Sequence, residues 1–397
     1  MTGAGCITAI GHDVATFRRN LFAGVSGIGE IEGLEPGDLR FTKAAIVRDF
    51  VPGDWLRAAQ VQVAERSAQF AIAAARQALA ASGLVDHYSG EDVAVVFGCS
   101  AGGRTAEEPE TKKLYMSGAR VHPLTVPRVM SSAGTSLVCM EHSLTGPAYT
   151  VSTACASSAH AIGQAFHMVR SGTVQAAVTG GHEAALTYGF LKSWDSLRVV
   201  SPTQCKPFSA DRDGLTLGEG AAVVTLENLD SAQERGAPIL AEILGFGMSS
   251  DAGHITQPQA SGSTAAMQRA LRDASASAAE VGYINAHGTG TEMNDRVEAE
   301  AIRTVFGDAA RTVAVSSTKS LHGHALGATG AIEVLATALA LQAGVLPGAG
   351  GVHHPDTSLG LGGILQDNRP ADTEFALCNS FAFGGLNAVL ALKAFRA

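Results

Sequence analysis

Short runs of β-branched and small apolar residues alternate with longer alanine-rich runs along this chain, and that alternation admits few folds. Residues 93–97 (VAVVF) read as a buried strand that runs into the turn Gly98-Cys99-Ser100-Ala101-Gly102-Gly103. Residues 66–82 are alanine-rich and apolar at helical spacing, with Gly83 placed to stop the helix. Further strands are expected at 176–179, closed by Gly180-Gly181, and at 221–227, 239–245 and 313–316. Strands spaced by helical runs specify α/β layers. At 397 residues the chain exceeds what one hydrophobic core usually supports. The polar stretch 228–238 (NLDSAQERGAP) separates two strand-like runs, so the expected boundary divides 1–236 from 237–397. Each half holds a strand, a short polar turn and an alanine-rich helix, at 149–169 and 313–340. A first strand is expected before Thr2-Gly3-Ala4-Gly5, where the chain already begins.

Composition narrows the class. Hydrophobic residues at 46% and charged residues at 16% describe a well-buried globular protein rather than a disordered one. A net charge of −9 argues against a general nucleic-acid binder, which carries a basic face. Local basic patches still leave room for an acidic protein partner. The six cysteines (Cys6, Cys99, Cys139, Cys155, Cys205, Cys378) form no CxxC pair, which fits reduced thiols in a cytoplasmic protein. No secretory leader is visible and no apolar run is expected to span a bilayer. The richest stretch, 331–345, carries Glu333 and Gln342 and reads as a buried helix.

Four segments could carry chemistry. In TVSTACASS (150–158), Cys155 follows a small-residue turn and opens a helical run. A helix N-terminus favours thiolate, the nucleophilic form, although a cysteine there can equally be a small buried hydrophobe. In VGYINAHGTGTEMND (281–295), His287 ends a strand and precedes Gly288-Thr289-Gly290-Thr291, threonines that could hydrogen-bond a ligand chain. The plain alternative is a satisfied polar histidine. In VAVSSTKSLHGHALGATG (313–330), a strand leads to Lys319, His322 and His324 ahead of a long apolar helix. A helix N-terminus disfavours imidazolium, so a neutral histidine donating N–H fits. The pair could also be read as metal ligands, but zinc needs more donors than these. In ALCNSFAFGGLNAVL (376–390), Phe381 and Phe383 precede Gly384-Gly385, either a loop offering N–H groups to an oxyanion or an ordinary hairpin. One cysteine, the histidines and a lysine in strand–turn contexts form a constellation for acyl transfer.

At these residues the sequence resembles the β-ketoacyl synthases of fatty acid and polyketide synthesis. The matching pieces are TACASSAH around Cys155, PFSADRDGLTLGEGAA at 207–222, GFGMSSDAGHIT at 245–256, NAHGTGT at 285–291, STKSLHGHALGATGAIE at 317–333 and NSFAFGGLN at 379–387. The resemblance implies an α/β thiolase fold, duplicated halves in five layers α-β-α-β-α. It implies that Cys155 carries the acyl thioester and that His287 and His324, rather than His322, support decarboxylation of a malonyl unit. Lys319 matches the structural lysine, and Thr289 and Thr291 the threonines that bind the pantetheine arm. The N–H groups of Cys155 and Phe383 would form the oxyanion hole, with Phe383 as gate. No cofactor is implied beyond the phosphopantetheine of an acyl carrier protein, and no metal. The expected partners are that carrier and a second copy or a related chain-length-factor subunit.

The stretch 57–66, where the family's carrier-docking helix is strongly basic, has only two arginines and also Glu65. Arg66, Arg120 and Lys206 are the docking candidates that remain. The segment 193–207 is shorter than in housekeeping enzymes and is similar to those of specialised pathways, such as nodulation-type or aryl-polyene lipids. Acyl chain length is expected to depend on residues 130–138. Two other readings compete. A non-elongating partner subunit would do little chemistry, and the intact Cys155, His287, His324 and Lys319 count against it. A thiolase would use a second cysteine, and Cys378 sits in an expected strand.

Overall fold

The computed structural model describes residues 1–32, 38–350 and 354–396. Two five-stranded mixed sheets organise them. The first is built from β1 (Gly3–Thr8), β2 (Val93–Gly98), β3 (Ala148–Val151), β4 (Ala176–Glu183) and β5 (Gly220–Glu227), in the order β1-β5-β4-β2-β3. The second is built from β6 (Ala241–Ser250), β7 (Tyr283–Asn285), β8 (Ala314–Ser316), β9 (Phe375–Ala382) and β10 (Leu386–Ala394), in the order β6-β10-β9-β7-β8. The two orders are the same path taken twice. The first strand of each pairs antiparallel with the fifth, and the fifth antiparallel with the fourth. The second strand lies parallel to both the fourth and the third.

Helices fill three layers around these sheets. Between them run α2 (Ser157–Arg170) and α5 (Thr329–Ala343), each touching both sheets. The helix α5 is apolar all round because neither face meets water. Its Ile332, Val334 and Leu335 are fully buried, and truncating such a leucine to alanine costs about 2–5 kcal/mol. Gly330 lets the two central helices meet, since a Cβ there would stand 3.0 Å from Ala159. On the outer face of the first sheet lie α1 (Arg66–Ser82) and the helix Ala133–His142. Glu65 caps α1 by accepting from Ala68 N–H, and Gly83 ends it at φ +62°. On the outer face of the second sheet lie α3 (Ala260–Asp273) and α4 (Glu292–Phe306). The result is the five-layered α-β-α-β-α thiolase fold.

Three expectations need correction. The first strand is Gly3–Thr8 itself, so the Thr2-Gly3-Ala4-Gly5 run lies in or beside the strand it was expected to follow. The strand at 176 continues through Gly180-Gly181 to Glu183, because Gly180 presses on the backbone of β5 and adopts φ +143° while keeping its ladder. Leu326–Ala343 is long and apolar enough to cross a membrane, but it is buried between the sheets.

Candidate active site

Equivalent turns in the two halves meet at the centre of the molecule. After β3 the chain passes through Ala154 at φ +48° into a single 3₁₀ turn, Ala154–Ala156, and then into α2. The Ser157 hydroxyl braces the turn, accepting from Thr153 N–H at 2.9 Å and donating to Ala154 O at 2.6 Å. Cys155 sits in the middle of the turn with 7% of its surface exposed. Burial pushes its thiol up to about 11, against the pull of the Lys319 ammonium and of the N–H groups of Phe383 and Cys155 itself. Of the two readings left open for Cys155, the helix-induced thiolate is therefore not the resting state. Desolvation in an enclosed pocket outweighs the partial charge of a helix end.

His287 follows β7. Its backbone N–H and that of Gly288 donate to the two oxygens of buried Glu298, each at 2.8 Å. Lys319 Nζ donates to His287 O at 2.5 Å and approaches His287 Nδ1 at 3.3 Å, and it pairs with Glu333. His324 Nδ1 accepts from Leu326 N–H at 3.2 Å and lies 3.0 Å from Thr329 Oγ1. With Nδ1 accepting in both rings, each imidazole keeps its proton on Nε2. The rings are edge-to-face at 5.5 Å. Burial first, and Lys319 second, hold both well below the ordinary histidine range, so both are neutral. Burial pushes the Glu333 carboxyl up, and Lys319 opposes it.

These groups open onto one cavity of about 320 Å³, lined among others by Cys155, His287, His324, Thr289, Thr291 and Phe383. Thr289 and Thr291 hydroxyls lie 2.9 Å apart, and Thr291 caps α4. Phe383 stands on the turn between β9 and β10, so the hairpin and the loop at the sulfur are one feature. His322 is not on the cavity. Its Nδ1 is 2.9 Å from Gly323 O and its Nε2 is 2.9 Å from Thr318 Oγ1. Cys378 lies buried within β9, away from the cavity lining. Among the described residues no group of three or more His, Cys, Asp and Glu side chains is arranged to hold a metal.

The docking candidates are scattered. The Arg66 guanidinium is committed to Glu219 at 2.6 Å and to Val47 O, so it offers no free cation. Lys206 pairs with Asp211 at 2.8 Å, and Arg120 is exposed. Sequence reasoning missed Glu298, Asp295 and Glu183. Asp295 accepts from Phe208 and Gly290 N–H groups, and so fixes the threonine loop from below. The signal was present: two carboxylates one turn apart follow the Gly/Thr loop and face the buried side of α4.

The fold and this cysteine–histidine–histidine cavity define a condensing enzyme of the acyltransferase type. Residues 1–232 match the β-ketoacyl synthase N-terminal domain and residues 240–353 the C-terminal domain, and the chain belongs to the β-ketoacyl synthase family. It is 39% identical over 395 residues to nodulation protein E of Rhizobium sp. (strain N33), covering 99% of this chain and 98% of that protein. It is 37% identical over 406 residues to 3-oxoacyl-[acyl-carrier-protein] synthase 2 of Staphylococcus aureus (strain COL), covering 100% and 98%. Among solved structures, the ishigamide ketosynthase/chain length factor superposes with a TM-score of 0.94 at 33% identity, covering 100% of this chain and 98% of that one.

Proposed function

We propose that this chain elongates an acyl chain held as a thioester on Cys155, using a malonyl unit delivered by an acyl carrier protein. One observation carries the reading: the buried thiol and two neutral imidazoles open onto the same threonine-edged cavity. In the first step the Cys155 sulfur attacks a carrier thioester, its proton goes to the departing carrier thiol, and the acyl group remains on Cys155. In the second step the malonyl C–C bond breaks and releases CO₂. Negative charge then develops on the malonyl thioester oxygen. The Nε2–H groups of His287 and His324 are donors that need no reorganisation to meet it. The enolate carbon attacks the Cys155 thioester, whose carbonyl oxygen is met by the N–H groups of Cys155 and Phe383. Cys155 leaves with a proton taken from solvent, and the product is a β-ketoacyl carrier. Lys319 acts through His287, fixing its tautomer.

The carrier's phosphopantetheine arm enters past Thr289 and Thr291, and no further cofactor takes part. Exposed Arg120 is the docking cation of this reading, since Lys206, like Arg66, is already paired with a carboxylate. The setting is cytoplasmic, in line with six free thiols. A second thiolase-fold subunit is the expected partner. The edge strand β3 is exposed, and Tyr115, Met116, Val126 and Met140 stand in solvent on the segments before it. Incubation with malonyl- and acyl-loaded carrier protein, read by mass spectrometry, tests the function. β-Ketoacyl product supports it. Absence of both product and acylated Cys155 would falsify it.

A further inference from the structure

The loop that aims the Phe383 N–H at Cys155 is a two-glycine turn whose glycines are tied by backbone bonds, while the Phe383 ring depends on its side-chain neighbours. Gly384 and Gly385 follow at φ +83° and +69°, conformations that glycine adopts at little steric cost, and Phe383 is 36% exposed. Two backbone bonds, Gly384 N–H to Ile255 O at 2.8 Å and Asp251 N–H to Gly385 O at 2.9 Å, tie the turn to its neighbour, and Gly385 N–H to Ala382 O at 3.0 Å closes it. The Phe383 ring is stacked on Trp194, with centroids 5.9 Å apart and planes 21° from parallel. Trp194 belongs to a different kind of element. It sits on the helix Tyr188–Leu197 at 8% exposure, in a cluster with Leu39, Phe41 and Leu326. Phe190 packs against it edge-on at 6.2 Å. The helix is pinned from outside, since Arg40 Nε donates to Asp195 at 3.0 Å and Lys192 Nζ donates to Asp38 O. A buried indole thus faces a partly exposed phenyl ring carried on a glycine turn.

We propose that Trp194 is a positioning residue for the condensing reaction, its indole holding the Phe383 ring so that the Phe383 N–H stays aimed at the acyl-carrying sulfur. This rests on the condensing function proposed above. Trp194 also lines the cavity, and the role proposed for its ring is exerted through Phe383. Losing an aromatic pair of this kind lowers the population of the aligned loop by about 2- to 12-fold.

The test is a double-mutant cycle on the full chain, with octanoyl-CoA as acyl donor and Cys155 acylation followed by intact mass. Trp194→Ala is expected to lower the acylation kcat by about 2- to 12-fold with KM within about 2-fold, and Trp194→Phe to restore most of it. In a Phe383→Ala background, which keeps the backbone N–H, Trp194→Ala should have no further effect. A loss of equal size in both backgrounds overturns the proposal, because it marks a structural role unrelated to the ring pair. Full activity of Trp194→Ala also overturns it. Should Trp194→Ala fail to fold, fluorescence decides. With Trp55→Phe, Trp194 is the sole tryptophan, and its emission must change when Phe383→Ala removes the stacked ring. Unchanged emission overturns the stack. No acylation of the parent protein by octanoyl-CoA or by acyl-loaded carrier protein overturns the condensing function instead, and the emission comparison still judges the stack.

Discussion

The two halves build the same central turn and use it for different ends. In the first half, Ala154 at φ +48° leads a 3₁₀ turn into α2, and the next residue is Cys155. In the second half, Leu326 at φ +48° leads an equivalent 3₁₀ turn, Leu326–Ala328, into α5, and the next residue is Gly327. The place of the thiol is taken by a bare backbone. The Gly327 N–H donates to Glu183 at 3.2 Å, and Ser100 N–H, Ser100 Oγ and Ala101 N–H converge on the same carboxylate. A Cβ on Gly327 would fall 2.7 Å from Glu183 Oε2 and 2.6 Å from Ser100 N. The same geometry that presents a thiol to the cavity in one half closes a buried clamp in the other. A duplicated backbone therefore supplies two candidate sites, and side chains decide which one is chemical.

The largest test removes the difference at its source. Cys155→Ala should abolish acylation and condensation, by on the order of 10³-fold or more, as judged by intact mass and product formation. Glu183→Ala strikes the other turn. It leaves four N–H and O–H donors and the Cys99 thiol without their buried acceptor, and an unfolding titration should show a loss of about 4 kcal/mol, with Glu183→Gln milder because it keeps one acceptor oxygen. If Glu183→Ala proves neutral, the clamp is not what the second turn is for.

Acid should weaken both halves. Burial holds His182 of the first half down at about 4, and burial with Lys319 holds His322 of the second at about 3. Both lie below the unfolded value of 6.5, so the folded chain resists a proton that the unfolded chain accepts. Stability should be complete above pH 6.5 and fall as pH drops toward 4, by on the order of 3 kcal/mol per histidine, measured by denaturant unfolding across that range. The smallest expected effect is that of Gly327→Ala, about 2 kcal/mol from overpacking, read as a drop in Tm. A neutral Gly327→Ala would show that the two turns are less alike than their dihedrals.

Much of this was legible beforehand. The strand at 93 and the helix Arg66–Ser82 follow from local pattern and from Gly83, whose missing side chain permits φ +62°. The motif segments placed Cys155, His287, His324 and the threonines on turns that open on one cavity. The state of the thiol was not legible. The segment 150–158 shows a helix start, and a helix start favours thiolate, but the enclosing walls come from β9, α5 and the Phe383 turn. Arg66 illustrates the same limit. Its charge is visible in sequence, while Glu219, which uses it, lies 153 residues away.

The sequence by itself determined the alternation of strands and helices, turns such as the one at Gly83, and which side chains are chemically able to carry an acyl group. These follow from near-neighbour sterics and hydrophobic periodicity, which act within a few residues. Tertiary structure decided the protonation of Cys155 and the histidines, the tautomers set by Lys319 and Leu326, and the stacking of Phe383 on Trp194. These depend on dielectric and contact, and both are set by atoms that meet only when two sheets close over α2 and α5.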